Sequence, residues 1–206
     1  MLDRVIRAVM IVVLAVFAWF RFREYGFYLV KPLWFVESLI YLVLIVAYVV
    51  RILPVERSQG WREIIVPLVG AALPFTLLFS PPVRWLAGSH GGQLAIFWFM
   101  AVSTSLTVVS MWTLRRSFSI TVEARSLVGS GPYRWIRHPI YLGEMLSAVA
   151  VTLWRLSLAN VMLCAAFIAV QLWRARMEER KLGRLLPEYA AFARSRWWPV
   201  SFGSHE

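Results

Sequence analysis

Long apolar runs, broken by short clusters of arginine, organise the sequence. They are Val5–Phe20, Leu33–Val50, Ile64–Phe79, Leu94–Leu114, Ile140–Trp154 and Ser157–Trp173. A helix that crosses a bilayer needs about 20 mostly apolar residues, with ~17–25 tolerated. The runs therefore predict an all-α, polytopic integral membrane protein with about six membrane helices. The third run contains Pro67 and Pro74 and predicts a kink. Only Arg155 and Leu156 separate the last two runs, a link that predicts an antiparallel helical hairpin. Its first arm is below spanning length and is predicted to enter the membrane partway. Beyond it, Leu182, Leu185, Leu186 and Tyr189 fall at i, i+3, i+4 and i+7, which predicts an amphipathic C-terminal helix. Pro187 should end one helix and can occupy the first turn of the next. The chain reads as one membrane domain over 1–206, with N-terminal spans in 1–113 and a more polar region in 114–199.

Composition agrees. Hydrophobic residues make up 60% and charged residues 16%, against about 25% charged in a soluble domain. One core could not hide that much apolar surface, so lipid must cover part of it. Cys164 has no intrachain partner, which excludes a disulfide scaffold. The 31 aromatic residues exclude intrinsic disorder. Arg4 and Arg7 precede the first run as in a signal peptide, but Trp19, Phe20, Arg21 and Phe22 follow it instead of a small-residue cleavage site. A retained first span is expected.

The net charge of +11 arises from basic residues between the apolar runs. That placement speaks for membrane topology and anionic headgroups, not for nucleic acid. With both termini on one side, 17 Lys and Arg fall on that side and 5 on the other. The bias assigns the termini, the 115–139 loop and the tail after Trp173 to the cytoplasm. Trp19, Trp34, Trp61, Trp85, Trp112, Trp135, Trp154 and Trp173 lie near the predicted span ends, as interfacial anchors do.

Two polar clusters stand out. Leu127–Glu144 reads LVGSGPYRWIRHPIYLGE, with glycines that permit close backbone approach and prolines that fix φ beside them. The same composition suits a loop entering the membrane with snorkelling arginines. Arg174–Leu182 reads RARMEERKL. Glu178 and Glu179 should point about 100° apart on a helix and not share one partner. Arg174 with Glu178, and Arg176 with Glu179, also suit a solvated, salt-bridged face. Glu37 and Glu144 are carboxylates inside predicted spans and hence candidates by default. Ser103, Thr104, Ser105 and Thr107 are read as helix-packing groups. His90 and His205 lack metal-ligand spacing, and no Cys/His cluster suggests a metal.

Three pieces in order resemble one family. Gly131–Gly143, GPYRWIRHPIYLG, is similar to the Gly-Pro-Tyr…Arg-His-Pro-x-Tyr-x-Gly signature of the isoprenylcysteine carboxyl methyltransferase and phospholipid methyltransferase superfamily. Arg176–Phe192, RMEERKLGRLLPEYAAF, resembles the Glu-Glu block that follows it there. Leu114–Ser119, LRRSFS, resembles the short element before it. Arg115 stands where that family has glycine, and Phe192 where it has a second tyrosine.

The resemblance implies methyl transfer from S-adenosylmethionine to a lipophilic acceptor, without metal, within residues 114–199. It implies cofactor contacts from Leu127, Val128, Gly131, Tyr133, Arg137, His138, Tyr141, Gly143, Glu178 and Glu179. Arg137 and His138 suit the cofactor carboxylate. Either glutamate suits the ribose hydroxyls or the ammonium. Arg137, Glu144 and Arg174 are the expected catalytic groups. An isoprenylcysteine-type carboxylate is the leading acceptor, while an amine or a thiol stays open. Two readings from other classes also stay open: an NADPH-dependent reductase of the sterol-reductase type, and a non-catalytic membrane scaffold.

Overall fold

Helices account for nearly all regular structure in the computed structural model, which describes residues 60–77, 89–114, 117 and 127–199, plus scattered helical positions between 8 and 23 and between 42 and 50. Five α-helices have complete bounds: α1 Arg62–Thr76, α2 His90–Leu114, α3 Pro139–Trp154, α4 Leu158–Leu185 and α5 Tyr189–Arg194. A 3₁₀ turn, Gly131–Arg134, precedes α3. No strand occurs among the described residues, which hold only an isolated parallel bridge between Ile136 and Trp197. About half of each of the first two predicted spans, and Glu37, lie outside the described residues.

Among the described residues two helices, α2 and α4, are long and apolar enough to cross a membrane. Their faces are inverted relative to a soluble protein. On α2 the buried positions include Ser103, Thr104, Thr107 and Ser110. Leu94, Trp98, Val102, Val109 and Trp112 are exposed instead. Lipid covers such an apolar face, whereas small hydroxyl residues let neighbouring helices approach. Most of these hydroxyls bond within their own helix: Thr107 to the Ser103 carbonyl, Ser110 to Leu106. Ser147 of α3 donates to Ser103 at 3.0 Å and also meets Thr104. The tightest point is Gly143. A Cβ there would lie 2.8 Å from the Ser103 carbonyl oxygen and closer still to Thr107 Oγ1.

Local sequence sets the helix ends. Pro139 occupies the first turn of α3, where its missing N–H leaves no bond unmade. The residue before a proline is driven out of helical geometry, and His138 sits at φ −127°, ψ 66°. Ser157 caps α4 by accepting from the Asn160 N–H at 3.1 Å. Leu186 follows the last residue of α4, immediately before Pro187. α1 runs on through Pro67 and Pro74 to Thr76.

One expectation requires correction. Trp173 does not end the last span: α4 is a single helix of 28 residues, and RARMEERKL is its continuation. At about 1.5 Å per residue it is ~42 Å long, more than the ~30 Å hydrocarbon core of a bilayer. The cause is a stripe that does not stop at Trp173. Positions 160, 164, 167, 171, 174, 178 and 181 alternate steps of four and three, and all but Glu178 are buried. The protein interior, not lipid, takes up this face, so the helix tolerates charge along it. The separate amphipathic element is reduced to the six residues of α5.

Candidate active site at one end of the helices

The first residues of α3 meet the last turns of α4. His138 Nε2 lies 3.0 Å from Glu179 Oε1, and Arg137 Nη1 donates to the same oxygen at 3.4 Å. One helical turn further, the Tyr141 hydroxyl donates to Glu178 Oε1. Deeper again, Gln171 Nε2 donates to Glu144 Oε2, and Arg174 Nη1 donates to Gln171 Oε1 at 2.8 Å. The Arg174 guanidinium stacks 4.7 Å from the centre of the Tyr141 ring. These pairs step forward along α3 as they step back along α4, so the two helices run antiparallel here.

The two glutamates do share a partner, contrary to the expectation from their 100° separation. His138 Nδ1 is 3.9 Å from Glu178 Oε2, while Nε2 faces Glu179. The side chains close the angle: an imidazole offers nitrogens on two sides, and each glutamate has three rotatable bonds. Glu179 is the more withdrawn, at 8% exposure against 22% for Glu178.

The C-terminal segment closes over this end. Arg137 Nε donates to the carbonyls of Ala193 and Arg196, and the Arg137 N–H donates to the Trp197 carbonyl. Arg196 Nε donates to the Tyr133 carbonyl at 2.7 Å. Its guanidinium also lies 3.7 Å from the centre of the Phe192 ring. Trp198 packs edge-on against His138, with ring centres 4.8 Å apart. Its buried indole N–H has no hydrogen-bond partner. Burial pushes the phenols of Tyr133 and Tyr189 above their usual range, and the carboxylates of Glu178 and Glu179, respectively, push further the same way.

Seven predicted site residues thus form one network: Arg137, His138, Tyr141, Glu144, Arg174, Glu178 and Glu179. Tyr133 lies near it, within electrostatic reach of Glu178 and Glu144. Leu127 and Val128 are half-buried, and Val128 packs on the apolar core. Gly131, at φ +54°, opens the 3₁₀ turn beside Thr113 of α2. Gly143 faces α2, so its position is explained by helix contact. Sequence reasoning missed Trp198, Arg196 and the buried Lys181. Lys181 was legible as the next step of the α4 stripe. No group of three or more His, Cys, Asp or Glu among the described residues is arranged to hold a metal ion.

Residues 91–188 match the phospholipid methyltransferase family. That family belongs to a superfamily of membrane methyltransferases. No curated protein and no solved structure matches it. The matched segment covers α2, the 3₁₀ turn, α3 and α4. Most of the His138–Glu179 network therefore lies in the methyltransferase segment, while α1 and the strap formed by residues 193–198 lie outside it. The matched family and the two apolar helices α2 and α4 support an integral membrane methyltransferase with a lipid-type acceptor.

Proposed function

We propose that the protein transfers the methyl group of S-adenosylmethionine to a lipophilic acceptor at the cytoplasmic membrane face, an isoprenylcysteine-type carboxylate or a related lipid. The observation that carries this reading is the convergence of Glu178 and Glu179 with Arg137, His138, Tyr141 and Arg174 within a methyltransferase segment.

The donor set fits the cofactor. S-adenosylmethionine presents a sulfonium and an ammonium, a carboxylate, a ribose diol and an adenine. Glu178 and Glu179 would hold the ammonium or the diol as acceptors. Arg137 and His138 would hold the carboxylate by charge-assisted hydrogen bonds. The unpaired Trp198 N–H is a buried donor beside them, and an orphaned buried donor favours a ligand that satisfies it. When bound, the cofactor supplies an electrophilic methyl group.

The chain's own residues bind, orient and exclude water. His138 and Tyr141 fix the two carboxylates, and the 193–198 strap packs on Arg137 and His138. Catalysis then comes chiefly from positioning donor and acceptor at near-attack distance. A carboxylate acceptor is ionised near neutrality and needs no base. An amine would have to lose a proton first, and we assign that role to Glu144, which accepts from Gln171. Arg174 would orient the acceptor side from its place over Tyr141.

The test uses purified protein in nanodiscs with methyl-labelled S-adenosylmethionine and separate arms of prenylated cysteine, an amine phospholipid and a lipophilic thiol. Label in a lipid product supports the reading. Folded protein that binds NADPH but not S-adenosylmethionine would overturn it in favour of a reductase.

A further inference from the structure

Helix α1 precedes the segment matched to the family, yet it contacts the glutamate-bearing half of α4 at two places. Lys181 Nζ donates to Glu63 Oε2 at 2.7 Å. Lys181 is 1% exposed and Glu63 15%. Seven residues further along α1, Gly70 lies against a point seven residues back along α4: a Cβ on Gly70 would sit 3.2 Å from Arg174 Cδ and 3.1 Å from Val170 Cγ1. Both contacts therefore belong to one antiparallel register.

An ammonium withdrawn from water is tolerated only with a well-placed counter-charge. The Glu63 carboxylate thus helps to hold the side chain at position 181, and with it the rotation of α4 about its axis. Glu179 lies two residues earlier, about 200° around and ~3 Å along the helix. Turning α4 to release Lys181 would swing Glu179 away from His138. Gly70 sets the matching distance, because a larger residue would press on the arginine that stacks over Tyr141.

We propose that the Glu63–Lys181 ion pair is a positioning latch, through which α1 holds the last turns of α4 so that Glu178 and Glu179 face His138 and the bound ligand. Its ligand readout rests on the cofactor assignment above; its structural readout does not.

The test uses the full chain in nanodiscs, comparing wild type with Glu63→Gln, Lys181→Met, Lys181→Arg and the reversed pair Glu63→Lys with Lys181→Glu. Amide exchange by mass spectrometry and S-adenosylmethionine affinity by calorimetry are both measured. Glu63→Gln and Lys181→Met should raise exchange within residues 176–186, leave α2 and α3 protected, and weaken cofactor binding by about tenfold, ~1.4 kcal/mol. The KM for the acceptor should hardly move. Lys181→Arg and the reversed pair should recover most of the protection. Wild-type exchange and affinity in both single variants would overturn the latch. So would loosening spread evenly over α2, α3 and α4, which marks a general stabiliser. Should a single variant not fold, Lys181→Arg and the reversed pair carry the decision: local exchange as high in these as in an unpaired chain overturns the proposal. Failure of the wild type to bind S-adenosylmethionine sinks the cofactor assignment alone, and exchange then decides the latch by itself.

Discussion

His138 Nε2 stands 3.0 Å from Glu179 Oε1, both side chains at 8% exposure, joining the residue before α3 to the far half of α4. A hydrogen bond to a charged group contributes about 1.5–3 kcal/mol, and removing one partner strands the other. His138→Ala and Glu179→Ala should each lower kcat/KM for methyl transfer ~10–150-fold if the contact is lost from cofactor and transition state alike. Glu178→Ala should lose less, because Glu178 is more exposed and lies 3.9 Å from His138. Helical content by circular dichroism should hold in all three. Near-normal activity in both His138→Ala and Glu179→Ala would remove the network from the mechanism.

Much of this network was legible because its parts carry local signals. Pro139 announces a helix start and pushes His138 out of helical geometry, and the short Arg155–Ser157 link returns the chain toward its starting side. What the sequence hid was the length of α4. Arg174, Arg176, Glu178 and Glu179 look like a solvated surface, and polarity alone suggests a break at Trp173. The four-three spacing of Asn160, Cys164, Phe167, Gln171, Arg174, Glu178 and Lys181 was the better signal, because it marks a buried stripe whatever its polarity. The fit of Lys181 to Glu63 lay beyond reading, since 118 residues separate them and either looks like an ordinary interfacial charge.

Gly143 tests whether α2 and α3 set the site by close approach. A Cβ at this position would meet Thr107 and the Ser103 carbonyl, and a backbone oxygen cannot rotate aside. Gly143→Ala should destabilise the protein by about 1–3 kcal/mol through overpacking. Thermal or denaturant unfolding in detergent would measure it. Thr107→Ala in the same chain should restore only part of the loss, because Ser103 remains. Wild-type stability in Gly143→Ala would show that the helices have room to separate.

Tyr133 and Tyr189 predict a pH dependence on the alkaline side. Both phenols are pushed above the ordinary tyrosine value of 10.0, first by burial and then by nearby glutamates. A raised folded-state pKa contributes stability that is complete below the unfolded value and is lost as pH rises through the folded one. The stability of this end should therefore be level up to about pH 10 and fall above it. Tyrosinate absorbance should show late-ionising phenols, one fewer in each of Tyr133→Phe and Tyr189→Phe. Simple titration of every tyrosine near 10 would contradict the burial of both.

The orientation of this end relative to the membrane is the last prediction. Residues 63, 138 and 179–181 are brought together by contacts among α1, α3 and α4, and Gly131 lies beside Thr113 near the end of α2. These helix ends thus share one face. The basic asymmetry of 17 against 5, counted over six predicted spans, predicts that this face is cytoplasmic. Ser130 and Ser195 are exposed on it, whereas the native Cys164 is buried. Single cysteines at Ser130 and Ser195, in a chain with Cys164→Ala, should both react with a membrane-impermeant maleimide in inside-out vesicles. Neither should react in right-side-out vesicles until the membrane is opened. Labelling of both sites only from outside would invert the topology yet keep the shared face. Labelling from opposite sides would break the site itself, because Ser195 lies in the strap that binds Arg137 and Ser130 opens the turn that Arg196 holds.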